Sequence, residues 1–378
     1  MGVYATAWTP IRMGRINKRS DGWADAMAAQ ILWIGTYTPG SDPTGSGTGI
    51  HRVEFDTVTG RLSGGAPLAA TPGPSFLAAH PDGRSLYAVN EKEKGTVTGF
   101  AVGADGTLTE RGSAPTGGTS PCHLAVHPRG RHVIATNYAD GVVSVHPITD
   151  DGAPGEPVRL LAHTGSGPDT VRQEGPHAHT VGMAPDGRHL LVADLGTDEV
   201  RCYAFDPDAD DPVAGESIAA RLTPGTGPRH MAVHPNGHIY VAGELDSRIH
   251  VLRWDRDTAT TVPVADVPAT GVAGVRSYPA EIVLSRDGER LYVSNRGADT
   301  IASFEVTEGG SGLRHLADTA TGGSWPRHFA LLEGHIVVAN QYSGGLAALC
   351  LDPSTGIPTD TGHRLALPDP VCVLPAAG

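Results

Sequence analysis

Apolar residues along the chain fall in short runs, alternating or nearly continuous over five or six positions, and each run breaks at Gly, Pro, Asp or Asn. PSFLAAHPDGRSLYAVNE shows the form: a Pro-led start, an apolar run, a P-D-G turn, and a second apolar run ending in a polar pair. Runs of this length bounded by turn residues predict β-strands joined as hairpins. The form returns in PCHLAVHPRGRHVIATNY, AHTVGMAPDGRHLLVADL, PRHMAVHPNGHIYVAGEL, PAEIVLSRDGERLYVSNR and PRHFALLEGHIVVANQ. Its turn glycines, Gly83, Gly130, Gly187, Gly237, Gly288 and Gly334, recur every 46 to 57 residues. Each unit continues with a third alternating run, such as TVTGFAVG or EVRCYAFD, and a weaker fourth. Four short strands in a unit of about 50 residues predict the blades of an all-β propeller.

A seventh blade is predicted from the two ends. ILWIGTYT matches a second strand and GIHRVEFD a third, with no first strand before them; DPVCVLP near the C-terminus matches a first strand with nothing after it. One blade shared by both ends closes the ring and removes its open sheet edges. The expected architecture is therefore a single seven-bladed propeller over residues 30–378, four antiparallel strands to a blade. Residues 1–29 lack periodicity and read as a disordered extension, with Met27 as an alternative start.

Composition narrows the partners. A net charge of −13 with no basic stripe argues against a nucleic-acid ligand. No apolar run is long enough to span a membrane, and the N-terminal stretch has no apolar core of the secretory type, so the cytoplasm is the expected compartment. Cys122, Cys202, Cys350 and Cys372 are far apart and read as free thiols. Oligomeric state is not legible.

The repeat also supplies geometry. In an antiparallel hairpin the start of the first strand and the end of the second lie together, so two rows of positions converge on one face near the central channel. The first row holds Ser75, Cys122, His179, Arg229, Ala280 and Arg327. The second holds Glu91, Tyr138, Leu195, Glu244, Arg296 and Gln341, preceded by Asn90, Asn137, Asp194, Gly243, Asn295 and Asn340. Scaffold positions repeat in kind; these rows vary in kind while staying largely polar, which marks the face as the candidate site. Arg229, Arg296 and Arg327 in so acidic a chain suggest an anionic small-molecule ligand, since guanidinium binds carboxylate or phosphate bidentately; the alternative is rim arginines paired with neighbouring carboxylates. Glu244 reads equally as a general base or as a counter-ion that orients the arginines.

His80, His127 and His234 recur before the turn proline and read as structural. His123, His230 and His328 follow the first row and suggest packing onto the next blade. In GPHAHT, His179 takes a channel-facing slot, and His177 is expected behind it. A metal there is disfavoured, because neither an H-E-x-x-H nor a cysteine pair is present and arginines repel a cation. GSDPTGSGTG lacks a nucleotide-binding fingerprint and reads as a loop. TGSGPDTVRQEGPHAHT reads either as an ordinary surface loop or as a flap over the site that offers Arg172 and Gln173.

The ordered set GTYT, LYAVNE, PCHLAVHPRG, GPHAHTV, VADLG, GPRHMAVHPNG, GELDS, PAEIVLSRDG, LYVSNRG, VANQ and PVCV resembles the seven-bladed lactonase family over about residues 30 to 374. That family includes bacterial 6-phosphogluconolactonases and fungal carboxy-cis,cis-muconate cyclases. The resemblance implies a site without metal or cofactor, with catalytic roles on His179, Arg229, Glu244 and Arg296. Substrate contacts are expected from His177, Arg327, Glu91, Asn137, Tyr138, Asn295 and Gln341. The shortened turn of PRHFALLEGH and the N-terminal extension depart from the family without touching these positions. The expected reaction is hydrolysis of 6-phosphogluconolactone to 6-phosphogluconate, with Glu244 or His179 as base. A lactonising cyclase acting on an unsaturated polycarboxylate is the second reading, and a non-catalytic interaction scaffold the third.

Overall fold

Each hairpin is set by its turn. Gly83, Gly130, Gly187, Gly237, Gly288 and Gly334 all have φ between 67° and 98°, the left-handed conformation that glycine alone adopts without strain. The computed structural model describes residues 29–376, so the extension expected over residues 1–29 lies, apart from Ala29, outside the described residues. Twenty-eight strands form seven four-stranded antiparallel sheets, the seven-bladed propeller that the repeat predicts.

Position in the blade explains the hydrophobic pattern. First and second strands, such as Ala178–Met183 and His189–Asp194, are almost wholly buried, whereas the fourth strand Val213–Arg221 exposes most of its residues at the outer rim. Burial on both faces calls for continuous apolar runs, which is why the fourth strand of each unit is faint in the sequence. Neighbouring blades share apolar cores, and the second strands also tie blade to blade through tyrosine. Tyr87, Tyr240 and Tyr292 donate to the carbonyls of Gly152, Gly310 and Gly356, at 3.0, 2.9 and 2.8 Å. Among the described residues no helix is long and apolar enough to cross a membrane.

The ring closes as the two termini predict. Pro370–Pro375 pairs with Ala29–Thr36, placing Val373 opposite Ile34 and Leu374 opposite Trp33. Leu374 is buried among Trp33, Leu77 and Leu86, across the seam to the next blade. Leu374→Ala should therefore lower unfolding free energy by about 2–5 kcal/mol, read as a reduced urea midpoint. An unchanged midpoint would show that the shared blade does not limit stability.

Candidate active site

Two local devices aim side chains at the channel. The residue before the first-strand proline takes positive φ in Gly73, Ser120, Gly227, Trp325 and Asp369, bending the chain as it joins the blade. The ladder register then slips between Pro121 and His123, Ala178 and Thr180, Pro228 and Met231, Pro279 and Ile282, and Pro326 and His328. Cys122, His179, Arg229, Ala280 and Arg327 thus sit in bulges, out of the regular pleat. Bulges re-aim side chains in this way.

The result is a cavity of about 340 Å³ at one end of the channel, within the range that holds a small ligand. Glu91, Cys122, Tyr138, His177, His179, Glu244, Arg296 and Arg327 line it, with Arg172 and Glu174 contributed by the loop 163–177. A narrower space of about 10 Å³ lies against Ser75, Glu91, Cys122, Arg229 and Arg327, about the size of one water molecule.

Glu244 is the hub of the positive wall. It is only 3% exposed. Its Oε1 accepts from Arg172 Nη2 at 2.6 Å and its Oε2 from Arg296 Nη2 at 2.5 Å. Arg229 Nε stands 3.1 Å from Oε2 but off the line of a hydrogen bond, and its buried Nη1 has no partner. Burial alone would push the Glu244 carboxyl upward; Arg296, Arg229 and Arg172 outweigh it and hold the pKa well below the usual carboxylate range. So stable an anion is a poor proton acceptor, and the counter-ion half of the sequence reading is the one this geometry supports. Arg296 also lies 5.5 Å from the Trp325 ring centroid.

Arg327 differs from the other three. No carboxylate pairs with it among the described residues; its guanidinium stands over the Tyr37 ring at 5.3 Å. The Tyr37 hydroxyl in turn reaches both oxygens of Glu91, at 3.3 and 3.2 Å. Arg172, Arg296 and Arg327 on the cavity and Arg229 on the narrower space thus surround one buried, firmly ionised carboxylate, while Asp42 and Glu174 add negative charge where the cavity opens to solvent.

Of the two histidines of GPHAHT, His179 takes the wall position that the repeat predicts, and His177, expected behind it, lines the cavity as well. His179 is buried in the wall, its Nδ1 without a partner. Burial first, then Arg229, holds its pKa well below the ordinary histidine value, so the ring is neutral. His177 donates from Nδ1 to the Tyr138 carbonyl at 2.7 Å and stacks on the Tyr138 ring at 4.6 Å. Its Nε2 lies 3.4 Å from Glu174, so it touches the cavity while also holding Tyr138 in place.

Some expected contacts are corrected. Asn137 is fully buried, accepting from Thr116 Oγ1 at 2.7 Å and donating to the Val142 carbonyl at 2.9 Å. Asn295 likewise accepts from Ser277 at 3.1 Å and donates to the Ala269 carbonyl at 2.9 Å. Both amides are spent on blade structure, and neither lines the cavity. Asparagine recurs at this position in four blades, and that recurrence in kind was the signal of a scaffold role. Gln341 is buried beside the Trp325 backbone and also stays off the cavity wall. Gln173 braces its own loop by donating to the Leu195 carbonyl and Asp198, each at 2.8 Å, whereas Arg172 does reach the site.

Tyr37, Asp42 and Ser120 are additions. Tyr37 sits at the end of the split blade's second strand, where Glu91 sits in the next blade; extending the second row to ILWIGTYT finds it. Asp42 lines the cavity from the glycine-rich loop. Of the recurrent histidines, His80 and His234 reach the carbonyls of Gly130 and Gly288, and His230 and His328 wall the narrower space. His123 and His328 accept from Val181 and Val373 in the following blade. No cluster of three or more His, Cys, Asp or Glu suited to a metal ion occurs among the described residues.

Known proteins share this fold and sequence pattern. Residues 31–375 match the family model described as lactonase, 7-bladed beta-propeller. The 6-phosphogluconolactonase of Bacillus subtilis is 33% identical over 353 residues, spanning 92% of this chain and 98% of that protein. The 6-phosphogluconolactonase of Formosa agariphila is 28% identical over 86% of this chain and 93% of its own length. Among solved structures, the periplasmic gluconolactonase of Pseudomonas aeruginosa superposes with a TM-score of 0.85 at 28% identity, covering 92% of this chain and 99% of that one.

Proposed function

The chain belongs to the seven-bladed β-propeller lactonase family, and on that premise we propose that it hydrolyses a sugar lactone, with 6-phosphogluconolactone opened to 6-phosphogluconate as its reaction. One observation carries the substrate class: Arg172, Arg296 and Arg327 line the cavity of about 340 Å³ and Arg229 the narrower space beside it, Glu244 is shared by three of them, and Arg327 has no ion-pair partner among the described residues. A phosphorylated sugar acid ester brings the anion such a wall lacks.

The division of labour follows from the fixed geometry. Arg327 binds the anionic group. Arg229 and Arg296, held by Glu244, are donors set in advance for the carbonyl oxygen as negative charge develops on it during water attack. Neutral His179 offers a ring nitrogen to the lactone, and His177 and Tyr138 close that side. Positive charge for the oxyanion thus comes from guanidinium, with no metal or cofactor called upon. The same residues would serve a cyclase, but relatives bearing the lactonase name favour hydrolysis. An interaction platform does not call for buried charges aimed into a channel. Product formation from this substrate would place the enzyme in the oxidative pentose phosphate pathway. The four free cysteines favour a reducing compartment such as the cytoplasm.

The test supplies purified protein with freshly generated 6-phosphogluconolactone, with unphosphorylated gluconolactone and with carboxymuconate, following each above its spontaneous rate. Turnover should be highest on the phosphorylated lactone. Turnover of carboxymuconate alone would replace this reading with the cyclase.

A further inference from the structure

We propose that Glu91 is the group that takes the proton from the attacking water, a role that rests on the lactone-hydrolysis reading above. Four carboxylates border the cavity. Asp42 and Glu174 are exposed at its mouth, and only Glu91 and Glu244 are buried in its wall. Glu244 is spent on the arginines. Glu91 forms no ion pair with them: its side chain meets the Tyr37 hydroxyl at 3.2 and 3.3 Å, and the Ser75 hydroxyl, otherwise without a partner, lies beside it.

Position distinguishes Glu91 further. Three residues wall both the substrate-sized cavity and the water-sized space: Glu91, Cys122 and Arg327. A carboxylate between a one-water space and the lactone is placed to activate that water. Arg327, always protonated, cannot act as base. Burial pushes the Cys122 thiol far up, so it stays neutral.

The surroundings also suit the task. Burial raises the Glu91 carboxyl to about 7, against the opposing pull of Arg327, Ser75 and Tyr37 and with slight help from Asp42. Tyr37 is itself pushed well up by burial and stays neutral; His179 is held well down. His230 and His328, which also wall the narrower space, are held well down by burial. Glu281, raised to about 8, stands behind them and lines neither space. Of the groups that do line the spaces, Glu91 is the one that changes charge near neutrality, where a general base works best.

The step balances. Glu91 takes one water proton as the water oxygen bonds to the lactone carbonyl carbon and the carbonyl electron pair moves onto its oxygen, toward the guanidiniums. Collapse restores the carbonyl and breaks the ring C–O bond, and Glu91 returns the proton to the departing ring oxygen. Nothing is oxidised or reduced.

The experiment measures kcat/KM against pH for wild type, Glu91→Gln and Tyr37→Phe on 6-phosphogluconolactone, with melting temperatures as a check of folding. Wild-type kcat/KM should rise with pH through a limb near 7, because the base must be ionised. Glu91→Gln should lose about 100-fold or more and lose that limb. A limb due to the substrate phosphate, which titrates near 6, would persist in the variant. Tyr37→Phe removes a donor that favours the ionised carboxyl and should move the limb to higher pH, a shift that does not depend on the Gln variant folding. Near-normal activity of Glu91→Gln, or an unmoved limb in Tyr37→Phe, overturns the role of Glu91 while leaving the lactonase reading intact. A wild-type protein inactive on both phosphorylated and free sugar lactones overturns the two together.

Discussion

Glu244→Gln is expected to lower kcat/KM for 6-phosphogluconolactone by about 100-fold or more, although Glu244 is not assigned a proton-transfer role. Glutamine keeps the shape and removes the charge. The donors of Arg172 and Arg296 lose their anionic anchor, and Arg229 loses its charge partner 3.1 Å away. Misplacing one preset donor at a developing oxyanion typically costs 10²–10³ in rate, and this substitution loosens three arginines together. Stability should fall as well, by roughly 3–5 kcal/mol, the cost of stranding buried charge. The pH dependence of that difference is a sharper check. Arg296, Arg229 and Arg172 overcome burial to depress the native carboxyl, so its contribution is complete above the unfolded value of about 4.3 and disappears only as pH falls through the lower native value. The gap in unfolding free energy between wild type and Glu244→Gln should stay flat from about pH 5 to 8 and close only at strongly acid pH. A gap that closes near neutrality, or near-normal turnover in the variant, would rule out the clamp.

Arg327→Met should give the opposite pairing, a loss of similar size in kcat/KM carried mainly by KM, with stability unchanged or raised. Arg327 has the Tyr37 ring beneath it and no bonded carboxylate among the described residues; it is partly buried, and an apolar chain of similar length relieves its desolvation cost while giving up only the unbonded attraction of Glu91 and Glu244. That is the profile of a residue kept for ligand at the expense of stability. Arg327→Lys should recover little, since a point charge does not reproduce the planar fork. Because Arg327 also opposes the rise of the Glu91 carboxyl, any residual activity of Arg327→Met should show its pH limb displaced upward. An unchanged KM would show that the substrate's anion is held elsewhere.

Much of the site could be located before the fold was known. The hairpin repeat alone placed Glu91, Tyr138, His179, Arg229, Glu244, Arg296 and Arg327 on one face, and all of them border one of the two adjoining spaces. The failures have separate, local causes. Asn137 and Asn295 lie in the right strands, but each is one residue before its strand's channel-facing position, and the pleat turns successive side chains to opposite faces. Tyr37 was missed because its blade is divided between the chain termini, where no local hairpin displays the repeat. Arg172 belongs to a loop with no periodicity, so nothing local distinguishes it from Gln173, which turns inward to brace the loop.

What the sequence determined by itself is the propeller: blade number, the strand shared between the termini, and the face on which the polar rows meet. Those features follow from strand periodicity and turn chemistry, which are local, repeat six times over, and leave matching half-units at the two ends. Only the tertiary structure decided the pairings within that face. It gave Glu244 to three arginines, left Arg327 without an ion pair among the described residues, and gave Glu91 a tyrosine hydroxyl in place of a bonded guanidinium. These residues come from different blades and from a loop, and a difference of an ångström or two in their approach determines which carboxylate is clamped and which is free to take a proton. Bulges and left-handed residues set that approach, and it takes the whole closed ring to hold them in place.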